Sequence, residues 1–209
     1  MKNEEEKANI EEKEKVRQDI VQSAQDVFKV YGWKKTSIED IARKAGKGKS
    51  TLYHYFKNKE EIFFAVLMME VEHVWEKLEK AIYRAGGFEA KLRSFFHVEL
   101  REIFNTTNLY SSFCDYWVDN FMQIEERIAC SHRDQNMALL IAIIKQGIQE
   151  GRVEERTEAE LEKIAETLIQ ARMGFLIELA RTTQEADFEV IEKHMKIFLD
   201  LIIRGLIKR

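Results

Sequence analysis

The sequence predicts an all-α protein: a three-helix head built around a helix-turn-helix, then a larger helical body, about nine helices together. Three observations carry this. Proline is absent from all 209 residues, although average usage near 5% would supply about ten. Apolar residues recur at helical spacing along nearly the whole chain. The few glycines fall mostly where those helices should stop. With 45% hydrophobic and 33% charged residues, the chain can bury a sizeable core and keep a well-solvated surface.

Taken in order, residues 1–15 (MKNEEEKANIEEKEK) form a charged extension of the first helix. From Val16, the residues Ile20, Ala24, Val27, Phe28 and Tyr31 make one apolar stripe, and Gly32 ends the helix. Thr36 and Ser37 are N-cap types, each with an acid three residues on (Glu39, Asp40), the spacing of a capping box. Ile38, Ile41, Ala42 and Ala45 then give a short second helix. Gly46 and Gly48 break it, and Lys49 to Phe56 form a third, with Leu52 and Phe56 to anchor it. Helix, glycine turn, helix is the arrangement that sets a second helix into the major groove of DNA. The charge agrees, because between Lys34 and Lys59 eight basic residues face only Glu39 and Asp40, a local +6 in a chain of net −4.

Asn58 and Glu61 open a fourth helix that runs through Ile62, Phe63, Val66, Leu67 and Val74 toward Ile82 and stops at Gly86-Gly87. The head is therefore placed at 16–58 and the body at 59–209. In the body, Leu92 to Phe104 form a fifth helix. Leu109 to Met122 are dense in aromatics, and Met137 to Ile144 are apolar on every face, with Gly147 and Gly151 closing that helix. Thr157 and Glu160 make another capping box. The last helix carries one apolar stripe through Phe188, Ile191, Met195, Phe198 and Ile202, and a second through Val190, Ile197 and Leu201. One stripe docks a terminal helix on its own body; the second needs another partner. The last two helices are therefore expected to form a homodimer as a four-helix bundle through Leu168, Phe175, Leu179, Ile191, Met195, Phe198 and Ile202.

Residues 16–62 resemble the tetracycline-repressor (TetR) family of bacterial transcriptional regulators. The matching residues are Ala24-x-x-x-Phe28, Tyr31-Gly32, Thr36-Ser37, Ile41-Ala42, Ala45-Gly46 and Thr51-Leu52-Tyr53-x-Tyr55-Phe56-x-x-Lys59-Glu60. The chain departs from the family pattern at Gly48, where a small polar cap is usual, and at Lys47, where valine is typical. The resemblance implies a ligand-responsive repressor that binds a palindromic double-stranded operator as a homodimer. A small apolar or aromatic effector in the effector-binding and dimerisation body would release it. Base contacts would come from Lys49, Ser50, Tyr53 and His54, and phosphate contacts from Thr36, Ser37, Lys47, Thr51, Tyr55 and Lys59. The effector pocket would draw on Phe96, Phe104, Tyr110, Phe113, Trp117, Phe121 and Phe175, with His97, Arg101 and Cys114 orienting the ligand. An alternative is a DNA-binding protein of this fold controlled by a protein partner, which a filled body would favour.

Other chemistry finds little support. Gly48-Lys49-Ser50-Thr51 looks like the end of a phosphate-binding loop, but Arg43 stands where its first glycine belongs and no strand precedes it. His97 and Glu99, two apart, diverge on a helix, and no histidine pair has metal-ligand spacing. Cys114 and Cys130 form no framework and read as reduced thiols. An enzyme is not expected, nor is a cofactor or metal. No apolar run reaches the roughly 18 residues of a membrane span, and the acidic N-terminus lacks the form of a secretory signal. A cytoplasmic location is the expectation.

Overall fold

Every proline-free periodic segment among the described residues is helical. The computed structural model describes residues 2–105, 132–180 and 185–208; side chains are described for these except 2–5, 103, 177, 179–180 and 185–187. Eight helices lie among them: α1 (Lys2–Lys35), α2 (Ile38–Ala45), α3 (Lys49–Tyr55), α4 (Lys59–Arg84), α5 (Gly87–Asn105), α6 (132–149), α7 (Glu158–Ala180) and α8 (Glu185–Leu206). The chain is all-α. The one β-type pairing among the described residues is an isolated bridge from Val153 to Ile207, which fastens the C-terminus beside the α6–α7 turn. The aromatic-dense segment Leu109–Met122 and both cysteines lie outside the described residues.

Contacts divide the chain into a head, residues 1–72, and a body, residues 73–209. The head core is formed by α1 (Ile20, Ala24, Val27, Phe28), α2 (Ile41, Ala42), Leu52 of α3, Phe56 at its end, and the start of α4 (Ile62, Phe63, Val66, Leu67), all buried. Phe28 meets Phe63 edge to face at 4.9 Å, a preferred aromatic geometry. α1 is interrupted at Gly32, whose backbone leaves the helical region at φ 72°, ψ 172°. One polar latch lies inside this unit. The buried Glu70 of α4 accepts from Gln25 at 2.5 Å and pairs with Lys29 at 2.9 Å, tying α4 to α1.

The body core gathers Phe88, Leu92, Phe95, Phe96 and Leu100 of α5, Leu140, Ile143 and Ile144 of α6, Leu161, Ala165 and Leu168 of α7, and Phe188, Ile191, Met195, Leu199 and Ile203 of α8. Gly147 plays a different part from the one its sequence position suggests. It lies inside α6, which runs on to residue 149, and a Cβ there would meet Val153 Cγ2 at 2.7 Å and Phe88 Cγ at 2.8 Å. Two residues of other segments occupy the space a side chain would need. Gly147→Ala should therefore destabilise the body by about 1–3 kcal/mol through overpacking, outweighing the gain of roughly 1 kcal/mol in helix propensity. Urea unfolding checks this, and an unchanged or higher midpoint would refute it.

Candidate DNA-binding site

The geometry of the head starts at the α1–α2 corner. Of the two overlapping capping boxes legible in the sequence, the fold uses Ser37 and Asp40. The Asp40 N–H donates to Ser37 Oγ at 3.2 Å, and Asp40 Oδ2 accepts from the Ser37 N–H at 3.1 Å and from its hydroxyl at 2.5 Å. Thr36 is buried, and its hydroxyl donates to the Gly32 carbonyl at 2.8 Å. It closes the corner from inside. Gly46 takes the left-handed conformation (φ 62°) that ends α2, and the Lys47 N–H returns to the Ala42 carbonyl at 3.0 Å, a Schellman-type cap that glycine adopts without Cβ strain.

Hydrogen bonds from the Ser37 hydroxyl and backbone hold the Asp40 carboxyl below its ordinary value of 3.8. A carboxylate with a depressed folded-state pKa adds stability above its unfolded pKa, and loses it as pH falls through the folded one. Ser37→Ala should cost about 1 kcal/mol near neutrality and flatten the acid limb of the head's stability. Urea midpoints compared at pH 7 and pH 3 test both. An equal loss in variant and wild type on acidification would disprove the coupling.

After the turn, α3 buries Leu52 and turns Lys49, Ser50, Tyr53 and His54 to solvent. These positions share one face at helical spacing, so the four residues expected to meet bases stand together. The half-buried Thr51 and Tyr55 flank that face, and Lys47 is exposed just before it. Gly48 gives α3 no side-chain cap. Lys49 does not extend freely: its ammonium bonds the Glu39 carboxylate and lies 5.8 Å from the Tyr53 ring centre. Sequence reading gave Glu39 only a capping part beside Thr36.

Lys59, at the first turn of α4, points inward. Its Nζ donates to the carbonyls of Trp33 and Thr36, each at 3.0 Å, and stands 4.0 Å over the Trp33 ring. Burial pushes this ammonium below its usual value. Two of its three N–H groups thus join the start of α4 to the end of α1 and the corner before α2.

In the body, the residues assigned to an effector fall into different settings. Phe96 is buried between Phe95 and Phe198, at 5.7 and 5.8 Å. Phe104 stacks on Phe188 at 4.3 Å, and Phe175 meets Phe198 at 5.6 Å. His97 and Arg101, expected to orient a ligand, are partly exposed and face Glu192 of α8 at 3.3 and 3.2 Å. Tyr110, Phe113, Cys114, Trp117 and Phe121 lie outside the described residues. A polar centre that sequence reading missed sits deeper. Arg172 of α7 is buried beside Glu99 of α5, Nε to Oε2 at 3.0 Å, with its Nη1 donating to Asn136 of α6 at 3.2 Å and Phe95 4.6 Å beneath it. Its sequence signal was a charge on the stripe Leu161, Ala165, Leu168, Arg172.

Three of the seven residues assigned to the dimer are buried within the single chain. Leu168, Ile191 and Met195 are 1%, 4% and 3% exposed within a single chain and have no area left for a partner. The side chain of Leu179 is outside those described. Exposed instead is the second stripe of α8, with Val190, Ile197 and Leu201 at 48%, 59% and 64%. Next to it a groove of about 320 Å³ is lined by Ala171, Gly174, Phe175 and Glu178 of α7 and Ile191, His194 and Phe198 of α8. Among the described residues no helix is long and apolar enough to cross a membrane, and no cluster of metal-ligand residues is present.

A short helix with an exposed polar face, anchored by the buried Leu52 and Phe56 beyond a glycine turn, has the form of the second helix of a helix-turn-helix. Residues 20–66 match the model of the tetR family of bacterial regulatory proteins. A protein of Bacillus subtilis (strain 168), described as the uncharacterized HTH-type transcriptional regulator YhgD, is 33% identical over 63 residues, 30% of this chain and 33% of that protein. The chain matches about a third to two fifths of the length of its curated relatives. Solved structures extend the likeness to the whole fold. A transcriptional regulator from Cytophaga hutchinsonii superposes with a TM-score of 0.69 at 23% identity, over 90% of this chain and 97% of that one. The Bacillus subtilis regulator FadR, solved in complex with stearoyl-CoA, gives 0.67 at 19% identity over 90% and 98%.

Proposed function

We propose that the protein is a repressor that binds an inverted-repeat operator as a homodimer and is released when a small apolar effector enters the body. The exposed face of α3 carries this reading. Lys49, Ser50, Tyr53 and His54 present donors, acceptors and an aromatic edge together, the chemistry needed to read bases in the major groove. Ser37, Lys47, Thr51, Tyr55 and the remaining N–H of Lys59 set the register on phosphates. Thr36 contributes by fixing the corner. The exposed Val190–Ile197–Leu201 stripe and the adjoining groove are covered by the same helices of a second copy, as expected of a helix-turn-helix protein that engages two half-sites. FadR's capture of an acyl-CoA supports an apolar effector. Ligand then selects a pose of α4 that spoils simultaneous engagement of both half-sites, and operator and ligand weaken each other reciprocally.

The packed Phe96–Phe198 and Phe104–Phe188 contacts favour a second reading, in which the body answers to a protein partner. Selection from a randomised duplex library tests the DNA reading: an enriched inverted repeat supports it, and no enrichment rejects it. A Lys47→Ala variant should then weaken all sequences alike and reduce the salt slope by about one per head. Release of the bound duplex by acyl-CoA separates the two readings of the body.

A further inference from the structure

Glu39 carries its acid on the exposed side of α2, ten residues before Lys49, and the two side chains are about half exposed (54% and 51%). The carboxylate accepts from the Lys49 ammonium. Each shifts the other: the Glu39 carboxyl is held below its ordinary value chiefly by this bond, and the Lys49 ammonium is raised chiefly by it. Lys49 is the first residue of α3, where the positive end of the helix disfavours a cation. Gly48 offers no side-chain cap there, so Glu39 compensates an unfavourable placement. Asp40, the neighbouring acid, is occupied by the Ser37 capping box. Glu39 is thus the carboxylate that accompanies Lys49 on the face shared with Ser50, Tyr53 and His54.

We infer that Glu39 is a specificity-determining residue of the head, which makes Lys49 half of a charge pair rather than a free cation; this rests on the DNA-reading role proposed above. A lone ammonium donates to any acceptor, including every phosphate of the backbone. A carboxylate beside it is repelled by phosphates and by acceptor-only edges, and is satisfied where an amino group lies next to an acceptor. The major groove offers that juxtaposition on base edges: guanine O6 and N7 near the cytosine N4 amino group, or adenine N7 beside its own N6 amino group. The pair therefore selects an acceptor–amino edge and penalises non-specific backbone contact. This is discrimination by an introduced repulsion as well as by a new attraction.

The test uses the full chain as wild type, Glu39→Ala, Lys49→Ala and the double variant. Each is selected against a randomised duplex library, then titrated with random-sequence duplex across salt concentrations. In Glu39→Ala, preference at one symmetry-related base pair should fall on the order of tenfold while the rest of the motif persists. Affinity for random duplex should rise, and the salt slope steepen by about one per head as Lys49 turns to phosphate. In the Lys49→Ala background the Glu39 change should leave the salt slope unsteepened, because no lysine is freed to turn to phosphate. Random-duplex affinity should rise there only by the relief of carboxylate–phosphate repulsion. An unchanged motif and slope in Glu39→Ala overturn the inference, as does an equal effect of that change with and without Lys49. A wild type that enriches no motif overturns instead the DNA-reading role on which it depends. Circular dichroism verifies folding, and a merely structural part for Glu39 would not alter preference at a single base pair.

Discussion

On the homodimer proposed above, Ile197→Glu combined with Leu201→Glu should yield a folded monomer that has lost binding to an inverted repeat. Both positions are exposed in the single chain, so the substitutions remove no core packing and the unfolding midpoint should barely move. On a two-fold interface every substitution occurs in both copies, so two acids per chain bring four charges onto the apolar surface. Sedimentation should give the single-chain mass of 24.7 kDa. Two linked heads gain roughly 10²- to 10⁴-fold over one, so affinity for an inverted repeat should drop by about that factor, while binding to an isolated half-site holds. A variant that sediments as a dimer places the interface elsewhere. A variant that is monomeric yet binds the inverted repeat at full strength removes the need for paired heads.

Arg172→Ala should destabilise the body strongly. It strands the Glu99 carboxylate, whose counter-ion sits 3.0 Å away among α5, α6 and α7. It also removes the donor to Asn136 and the cation over Phe95. Breaking a buried pair by deleting one member costs about 3–5 kcal/mol, whereas replacing both members with apolar residues of like volume is often neutral or better. In a chain of this size each kcal/mol shifts the melting temperature by about 2–4 °C, so a drop of roughly 10 °C is expected. Arg172→Met with Glu99→Leu should regain most of it. Calorimetry on the singles and the double decides: simple additivity of the two single losses would mean that the pair is not coupled.

The head was largely legible in the sequence because its signals are local. Gly46 had to end α2, Ser37 and Asp40 had to cap it, and Leu52 with Phe56 had to bury for so short a helix to hold. Where the sequence offered two equivalent local solutions, tertiary contacts decided between them. Thr36 had the credentials of an N-cap, but its hydroxyl is taken by the Gly32 carbonyl and Glu39 is left for Lys49. The body was legible as helices and much less so as surfaces. α8 has two apolar stripes, and only its packing against α5 and α7 shows that Ile191 and Met195 face inward while Ile197 and Leu201 do not. His97 and Arg101, expected to orient a ligand, stand opposite Glu192, 95 and 91 residues on in sequence, a contact that no local spacing encodes. Gly147 followed the usual logic of a helix terminator, yet its reason is the close approach of Phe88 and Val153, which no spacing rule encodes.

The inward turn of Lys59 has an optical consequence. Trp33 is the single tryptophan of residues 1–72 among the three in the chain. It lies between Phe28 and Phe63, at 6.0 and 4.9 Å, with the Lys59 ammonium over its ring. A cation 4.0 Å from the ring should shift the energy of the excited indole, so the emission of Trp33 should respond to the contact that closes the corner of the head. With Trp75 and Trp117 replaced by phenylalanine, the protein would carry its own fluorophore at the joint between α1 and α4. Its spectrum would register loosening of that joint without any attached dye.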